Sequence, residues 1–176
     1  MLFSFQIKQF ILKSDELEEV ESDPIARKYL RQFSNGSDFI NGDKRFCLWL
    51  KDAPPADIVR SAILKKRVDK LIEKRSGSDR PGTQKLAQFP TRFGEDRQPN
   101  EPFLAFPQTF TENRRYMTVG LMDPSVIIGM KIYWTIDPDG LQFALASSSM
   151  MITWQRTVGG RLKSDPSFSN TLVWNT

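Results

Sequence analysis

The residues best suited to binding chemistry lie near the C-terminal end of the chain. There, Gly159 and Gly160 end an apolar helical pattern, and Arg161 and Lys163 follow. Small polar residues come close behind, namely Ser164, Ser167, Ser169, Asn170 and Thr171. Because paired glycines commonly end a helix with a positive φ, the sequence predicts a short exposed loop here. Such a loop suits contacts with the phosphates and base edges of nucleic acid, although a plain polar connection between helix and strand has the same composition.

Several kinds of catalytic and metal chemistry are excluded by what the chain lacks. The 176 residues contain no histidine and one cysteine, Cys47. Histidine-dependent triads and histidine or multi-cysteine zinc sites are therefore impossible within this chain. The glycine-rich phosphate loops G-x-G-x-x-G and G-x-x-x-x-G-K-[ST] do not occur either. The residues alone give no reason to expect an enzyme active site in this chain.

Cys47 lies inside an apolar run, residues 46–50. The run predicts a buried small hydrophobe at this position rather than a nucleophile. A chain without a disulfide framework fits the reducing cytoplasm. No apolar stretch reaches the roughly 20 residues of a membrane helix, so no membrane association is expected.

The positive charge of the chain is concentrated in one segment. The formal net charge is +4, yet residues 60–97 alone carry eleven Lys or Arg against five Asp or Glu. Six acidic residues between positions 14 and 23 offset this excess, and they are typical of a solvated helix face or tether. A concentrated basic segment is compatible with DNA binding, although a solvated helix face explains it as well.

The elements that would position these side chains indicate an α+β fold. Asp52 and the Pro54-Pro55 pair predict the start of a long helix over residues 56–75. A second long helix is expected over residues 141–158 and a short one over residues 25–33. Strand patterns occupy residues 45–50, 103–106, 116–121, 131–136 and 172–174, and turn residues occupy positions 34–37 and 41–43, including the hairpin signal Asn41-Gly42. We expect a mixed, largely antiparallel sheet flanked by two main helices, with an N-terminal helical segment (residues 1–33) before the domain proper (residues 34–176).

Four stretches of the chain, taken together, carry a family resemblance. They are I-N-G at 40–42 with R-F-C-L-W-L at 45–50, T-E-N-R-R-Y at 111–116, G-G-R-L-K-S-D at 159–165 and S-N-T-L-V-W-N-T at 169–176. In this order and spacing they resemble the target recognition domain of the MmeI-like (type IIL) restriction–modification enzymes and related adenine-specific DNA methyltransferases. The resemblance covers about residues 23–176. In that family a methyltransferase domain with an N-P-P-Y-type motif, and an N-terminal nuclease, share the polypeptide.

The resemblance implies that this chain recognises a specific duplex DNA sequence as part of a larger methyltransferase. It would position an adenine for N6 methylation by a methyltransferase domain of the same polypeptide. Neither an N-P-P-Y motif nor an S-adenosylmethionine loop lies in these residues, so that cofactor and the catalysis are expected outside this chain. An alternative is an interaction module that docks onto a methyltransferase or nuclease subunit without base contacts of its own.

The resemblance also places the candidate DNA-binding residues. Arg114 and Arg115 fall on the family's S-E-R-R-Y segment, where Thr111-Glu112-Asn113 departs from the expected Ser-Glu order. The segment 161–165 falls in the neighbourhood that reads base pairs. The candidate DNA-binding residues are Arg45, Lys85, Arg114, Arg115, Arg161, Lys163, Ser164, Asp165, Ser167, Ser169 and Asn170.

Each arginine among these candidates has a structural alternative. Arg161 could bond a guanine or a neighbouring carbonyl. Arg114 and Arg115 could contact phosphate or pair with Glu112 or Asp123. Arg45 could equally be a structural residue of its strand.

Overall fold

The structure, a computed structural model, describes residues 9–91 and 96–175. In chain order its α-helices are α1 (Leu17–Ser22), α2 (Gly36–Asn41), α3 (Pro55–Arg60), α4 (Ala62–Ser76), α5 (Pro81–Lys85), α6 (Leu141–Ala146) and α7 (Ser149–Val158). Its strands are β1 (Leu30–Ser34), β2 (Arg45–Leu48), β3 (Phe103–Pro107), β4 (Gly120–Met122), β5 (Ile127–Ile128), β6 (Ile132–Thr135), β7 (Gly160–Leu162) and β8 (Asp165–Ser167). Helices together with mixed and antiparallel sheets confirm the α+β class.

The chain divides into two compact units that are not contiguous in sequence. The first unit is built from the described parts of Met1–Phe33 and Arg45–Arg97, and the second from Ser34–Lys44 and Gln98–Thr176. The chain therefore passes between the units three times. The predicted division between an N-terminal segment of residues 1–33 and a domain of residues 34–176 stays a prediction.

The first unit pairs β1 with β2 in antiparallel register, Leu30 opposite Leu48. Phe10, Leu48, Leu64 and Leu71 are among the side chains that form its core, and all four are buried. The helix expected over residues 25–33 is wrong: a 3₁₀ turn, Ala26–Tyr29, leads into β1. Only the last two residues of β1, Phe33 and Ser34, are buried, so the strand carries no alternating apolar pattern that the sequence could have revealed.

The long helix expected at residues 56–75 is two helices, α3 and α4, with a break at Ser61. Ser61 caps α4 by accepting a hydrogen bond from the Leu64 amide at 3.2 Å. Its own hydroxyl donates to Asp23 Oδ2 at 2.5 Å. Asp52, predicted as the cap, lies before Pro54, which is the residue that precedes α3. A serine inside an otherwise helical pattern thus serves as a new N-terminus, because its hydroxyl competes for backbone amides.

The last turn of helix α4 contains a buried arginine, Arg75. Arg75 is only 2% exposed, and its Nη1 donates to the carbonyls of Leu86 and Phe89, at 2.8 and 3.0 Å. Burial lowers the pKa of this guanidinium. These bonds hold the turn Leu86–Gln88 against the C-terminal end of α4, so an arginine of the basic segment serves the fold rather than the surface.

The second unit contains an antiparallel sheet in the order β4-β3-β6. Every residue of the central strand β3 is buried. On one side Phe106 joins a cluster with Phe110, Ile152 and Phe168. The strand predicted at residues 116–121 begins later than expected, at Gly120.

The Asn41-Gly42 pair closes a helix and not a hairpin turn. Gly42 follows α2 with a φ of 73°, and the Asn35 amide at the other end of α2 donates to Asp38 Oδ2 at 3.0 Å. A glycine with positive φ can end a helix or form a hairpin turn, so the Asn-Gly dipeptide alone does not distinguish the two structures. A Cβ on Gly36 would lie 3.0 Å from the Lys131 carbonyl oxygen, which explains a small residue at the start of α2.

The helix expected at residues 141–158 is also two helices. Helix α6 ends at Ala146, and Ser148 then caps α7 by accepting from the Met151 amide at 3.1 Å. The serine-rich centre of the predicted helix is therefore a cap, for the same reason as Ser61. No helix in residues 9–91 and 96–175 is long and apolar enough to cross a membrane.

Burial should make Cys47 unreactive in the folded protein. The side chain is 1% exposed, as the sequence predicts, and burial raises its pKa to about 12 despite the opposing effect of Arg31. Because only the thiolate is nucleophilic, we expect iodoacetamide to modify Cys47 much more slowly in the native protein at pH 8.5 than in urea. Mass spectrometry of the alkylated cysteine measures both rates, and equal rates would contradict the burial described here.

Candidate nucleic-acid interface

The C-terminal loop predicted from the sequence is a β-hairpin. Strands β7 and β8 pair in antiparallel register with Leu162 opposite Asp165, which leaves Lys163 and Ser164 as the two turn residues. Lys163 is the one non-glycine residue with a positive φ, 58°, in the described part of the chain. Arg161, Lys163 and Ser164 are all exposed. The turn therefore presents one cation and a hydroxyl, and a second exposed cation, Arg161, lies in the adjoining strand β7.

The first glycine of the pair before this hairpin, Gly159, is needed for a reason other than the one the sequence suggested. Gly159 has a φ of −74°, so the predicted positive φ is wrong. A Cβ at Gly159 would instead lie 2.5 Å from the Gln155 carbonyl oxygen and 2.7 Å from its Cδ. The Gln155 side chain is 1% exposed and its Nε2 donates to the Ser167 carbonyl at 3.2 Å. Gly159 thus leaves room for the side chain that joins α7 to β8.

Strand β8 is further tied to the core of the second unit. The Phe168 amide donates to the Gln108 carbonyl at 2.6 Å, and the Phe110 amide donates to the Pro166 carbonyl at 3.3 Å. The Phe168 ring stacks on Phe106 with centroids 5.6 Å apart. The exposed tip of the hairpin is consequently anchored by buried neighbours on its C-terminal side.

A second loop, residues 111–116, is attached to the hairpin and to α7. The Glu112 amide donates to Asp165 Oδ1 at 3.2 Å. Arg156 Nη2 donates to the carbonyls of Glu112 and Arg114, at 3.1 and 2.9 Å. These contacts bring the Arg114 neighbourhood to the hairpin. Arg156 is the functional positioning residue that sequence reasoning missed, since an arginine on an exposed helix face carries no local signal of such a role.

The two arginines of this loop differ in their surroundings. Arg115 is exposed and lies over the Tyr116 ring at 6.0 Å. Arg114 is half-buried, and its Nε has no hydrogen-bond partner among the described residues. The proposed ion pairs with Glu112 or Asp123 are not formed in the described residues. Asp123 instead accepts from the Ser125 amide at 2.8 Å, and its hydrogen bonds with the Ser125 hydroxyl and amide lower its pKa.

The candidates Ser169 and Asn170 lie at the start of a single π-helical turn, Asn170–Trp174. This turn replaces the strand predicted at residues 172–174. Ser169 and Thr171 share a hydrogen bond of 2.9 Å between their hydroxyls, and Asn170 is exposed. The Trp154 indole, though 39% exposed, donates to the Val173 carbonyl at 3.1 Å. This bond fixes the turn against α7. Of the other candidates, Ser167 is half-buried within β8.

Arg45 and Lys85 belong to the first unit and are not part of this cluster. Arg45 begins β2 and its guanidinium lies 5.5 Å from the centroid of the Phe33 ring. Lys85 is exposed at the end of α5. The structure therefore gathers nine of the eleven candidates in the second unit: Arg114, Arg115, Arg161, Lys163, Ser164, Asp165, Ser167, Ser169 and Asn170.

The described domain thus carries an exposed, cation-bearing hairpin on an α+β scaffold. The family model described as "MmeI, target recognition domain" matches residues 4–176. The chain therefore belongs to the MmeI target recognition domain family, which confirms the resemblance predicted from its four sequence stretches.

Two relatives support this assignment. The chain is 32% identical over 148 residues to DNA methyltransferase A of Bacillus subtilis (strain 168). The aligned region covers 84% of this chain and 17% of that protein. It also matches the structure of the type IIL restriction–modification enzyme MmeI in complex with DNA, with a TM-score of 0.89 and 34% identity over 95% of this chain and 22% of that one. The chain thus corresponds to about a fifth of the length of these relatives.

Substituting Gly159 tests the anchoring of the hairpin. In Gly159→Ala the new methyl group overlaps Gln155, and we expect a loss of roughly 1–3 kcal/mol in the free energy of unfolding, as for other overpacked sites. Gly160→Ala is the matched control, because its Cβ would meet nothing closer than the Ser167 carbonyl oxygen at 4.0 Å. Urea unfolding followed by tryptophan fluorescence measures both variants. Equal stabilities would show that Gln155 moves aside freely.

Removing the Arg156 side chain should release the loop of residues 111–116. Arg156→Ala loses both hydrogen bonds to the carbonyls of Glu112 and Arg114, so we expect faster amide hydrogen exchange in this loop. Exchange of the Phe168 amide, bonded to Gln108, should stay unchanged and serves as an internal control. Hydrogen-exchange mass spectrometry resolves the two segments, and unchanged exchange in residues 111–116 would contradict the positioning role.

Proposed function

We propose that this chain recognises a specific duplex DNA sequence on behalf of a longer adenine-N6 DNA methyltransferase or fused restriction–modification enzyme. The observation that carries the proposal is the exposed tip of the β7–β8 hairpin, where Arg161, Lys163 and Ser164 project from an anchored turn. Arginine or lysine can contact guanine O6 and N7, and hydroxyls can contact any base edge. Family membership and the relatives' link to DNA and methylation support this function.

The proposal assigns different roles within the cluster. Arg161, Lys163, Ser164 and Asn170 read base edges, while Arg115 contacts phosphate beside them, since all five are exposed. Asp165 and Ser167 hold the hairpin and its neighbouring loop in register. Ser169 is held by its hydroxyl bond with Thr171 and presents Asn170. Arg114, half-buried with an unbonded Nε, completes its hydrogen bonds with a DNA phosphate.

Catalysis and cofactor binding belong, in this proposal, to another part of the polypeptide. Methyl transfer to adenine uses S-adenosylmethionine, and reaching the amino group requires the base to be flipped out of the duplex. The recognition domain selects which adenine is presented. A cytoplasmic enzyme that acts on the cell's own DNA agrees with the single buried cysteine.

Exposed apolar side chains favour one further candidate function, docking onto a methyltransferase or nuclease subunit without base contacts. In the second unit, Leu141, Phe143 and Leu145 of α6 are between 45% and 53% exposed, and Met150 of α7 is 72% exposed. Docking alone predicts a complex insensitive to salt, whereas DNA binding weakens steeply as salt rises. Fluorescence anisotropy of the domain with duplex DNA over a salt series separates the two functions.

Substitutions at the hairpin tip should change which sequence is recognised. In the polypeptide that carries this domain, we expect Arg161→Ala and Lys163→Asn each to relax the preference at one base pair, by about 1–3 kcal/mol or roughly five- to 150-fold. Asparagine is chosen at position 163 because it tolerates a positive φ. Sequencing of N6-methyladenine in methylated DNA identifies the preferred site.

The matched control is Lys44→Ala, which removes an exposed cation of the same unit far from the hairpin in sequence. This control should leave the methylated site unchanged. Unaltered site preference in both hairpin variants would refute the assignment of Arg161 and Lys163 to base readout.

A further inference from the structure

The first unit contains a cleft that the proposed function leaves unused. It has a volume of about 530 Å³ and is bordered by the segment before α1, the start of β2 and one face of α4. Ile11, Leu12 and Ile63 contribute apolar surface. Charged side chains make up most of the remaining lining: Lys13, Glu16, Glu19, Arg45, Lys66, Arg67 and Lys70.

The charges in this cleft are unbalanced. Five cations face two carboxylates. One carboxylate is already neutralised, since Glu16 Oε1 lies 2.8 Å from Arg67 Nη2. Burial alone would raise the pKa of Glu16, but hydrogen bonds from the Lys13 amide and from Arg67 outweigh it and lower that pKa. Glu19 is then the sole carboxylate that opposes the four remaining cations of the lining.

Arg67 shapes the cleft, because its guanidinium is bonded on two sides. Besides Glu16, its Nη1 donates to the Gln9 carbonyl at 2.7 Å. These bonds attach the chain before α1 to the side of α4. Lys66 and Lys70, by contrast, are exposed and stand four residues apart on α4, so they lie on the same helix face about 6 Å apart along the axis.

We propose that this cleft is a second DNA contact, which binds the sugar–phosphate backbone of the duplex without reading its sequence. A DNA strand presents one phosphate for about every 3.4 Å of helix axis, so Lys66 and Lys70 can each face a phosphate. The apolar lining accommodates the deoxyribose between the phosphates. This inference rests on the proposed function for the class of partner, and it adds a DNA contact in the first unit to the one proposed in the second.

The test compares two double variants of the polypeptide that carries the domain. Lys66→Gln with Lys70→Gln neutralises the cleft, whereas Arg60→Gln with Lys65→Gln neutralises two exposed cations of α3 and α4 that do not line it. Affinities for a preferred duplex and a scrambled duplex are measured by fluorescence anisotropy over a salt series. Each lost phosphate contact reduces the slope of log K against log salt by about 0.9.

We expect the cleft variant to lose a slope of roughly 1.8, and to weaken binding to both duplexes by the same factor. The control variant should keep the slope of the original protein. Glu19→Gln, which removes the opposing carboxylate, should strengthen binding to both duplexes. A gain of affinity of this kind cannot result from misfolding.

Two results would overturn the inference: an unchanged slope in the cleft variant, or an equal loss in the control variant. An acidic protein partner in place of DNA would give the first result. Failure of the proposed function gives a different set of results. The original protein would bind the preferred and scrambled duplexes equally, and Arg161→Ala would change nothing. The cleft variant would still lose slope of log K against log salt. If the original protein bound no DNA at low salt, both ideas would be refuted.

Discussion

The close approach of Gly159 to Gln155 is the contact on which the position of the β7–β8 hairpin depends. Helix α7 ends there, and the buried Gln155 amide bonds the Ser167 carbonyl across a space that any Cβ at position 159 would fill. From that joint the hairpin runs outward. Asp165 fixes the neighbouring loop to the hairpin, and Arg156 fixes the same loop to α7. Rigid support of this kind lowers the entropy lost when exposed side chains engage a partner. The hairpin tip is exposed, but its position is determined by buried groups.

The charge of the chain serves two different purposes. Arg75, Arg67 and Arg156 donate to backbone carbonyls and hold segments together. Other cations, such as Lys66 and Lys163, are exposed. Planar guanidinium groups with several donors suit the first purpose, and flexible ammonium groups suit the second. The net basic charge of a sequence therefore overestimates the number of cations available to a binding partner.

Sequence patterns predicted most elements but not their ends. The apolar run at Phe103 and the proline pair at Pro54 are local signals, and both elements formed where expected. Ser61 and Ser148 divided the predicted helices, because each serine hydroxyl caps a new helix by accepting from a backbone amide, which apolar periodicity does not reveal. The family resemblance came from the order and spacing of four short motifs, and it did not depend on where helices and strands end. The positive φ of Lys163 had no local signal, since lysine rarely adopts it.

The passage of the chain between the two units has a consequence for its biosynthesis. Every segment of the first unit has been translated once residue 97 is made, so that unit can fold before the rest exists. Helix α2 is translated early, but it can pack only after β3 and Lys131 have been translated, because it contacts β3 and Gly36 packs against Lys131. Strands β7 and β8 follow all the other numbered helices and strands in the sequence. The aromatic core of the second unit is therefore completed late, because Phe106 of β3 packs against Phe168 and Trp174, which follow the hairpin strands.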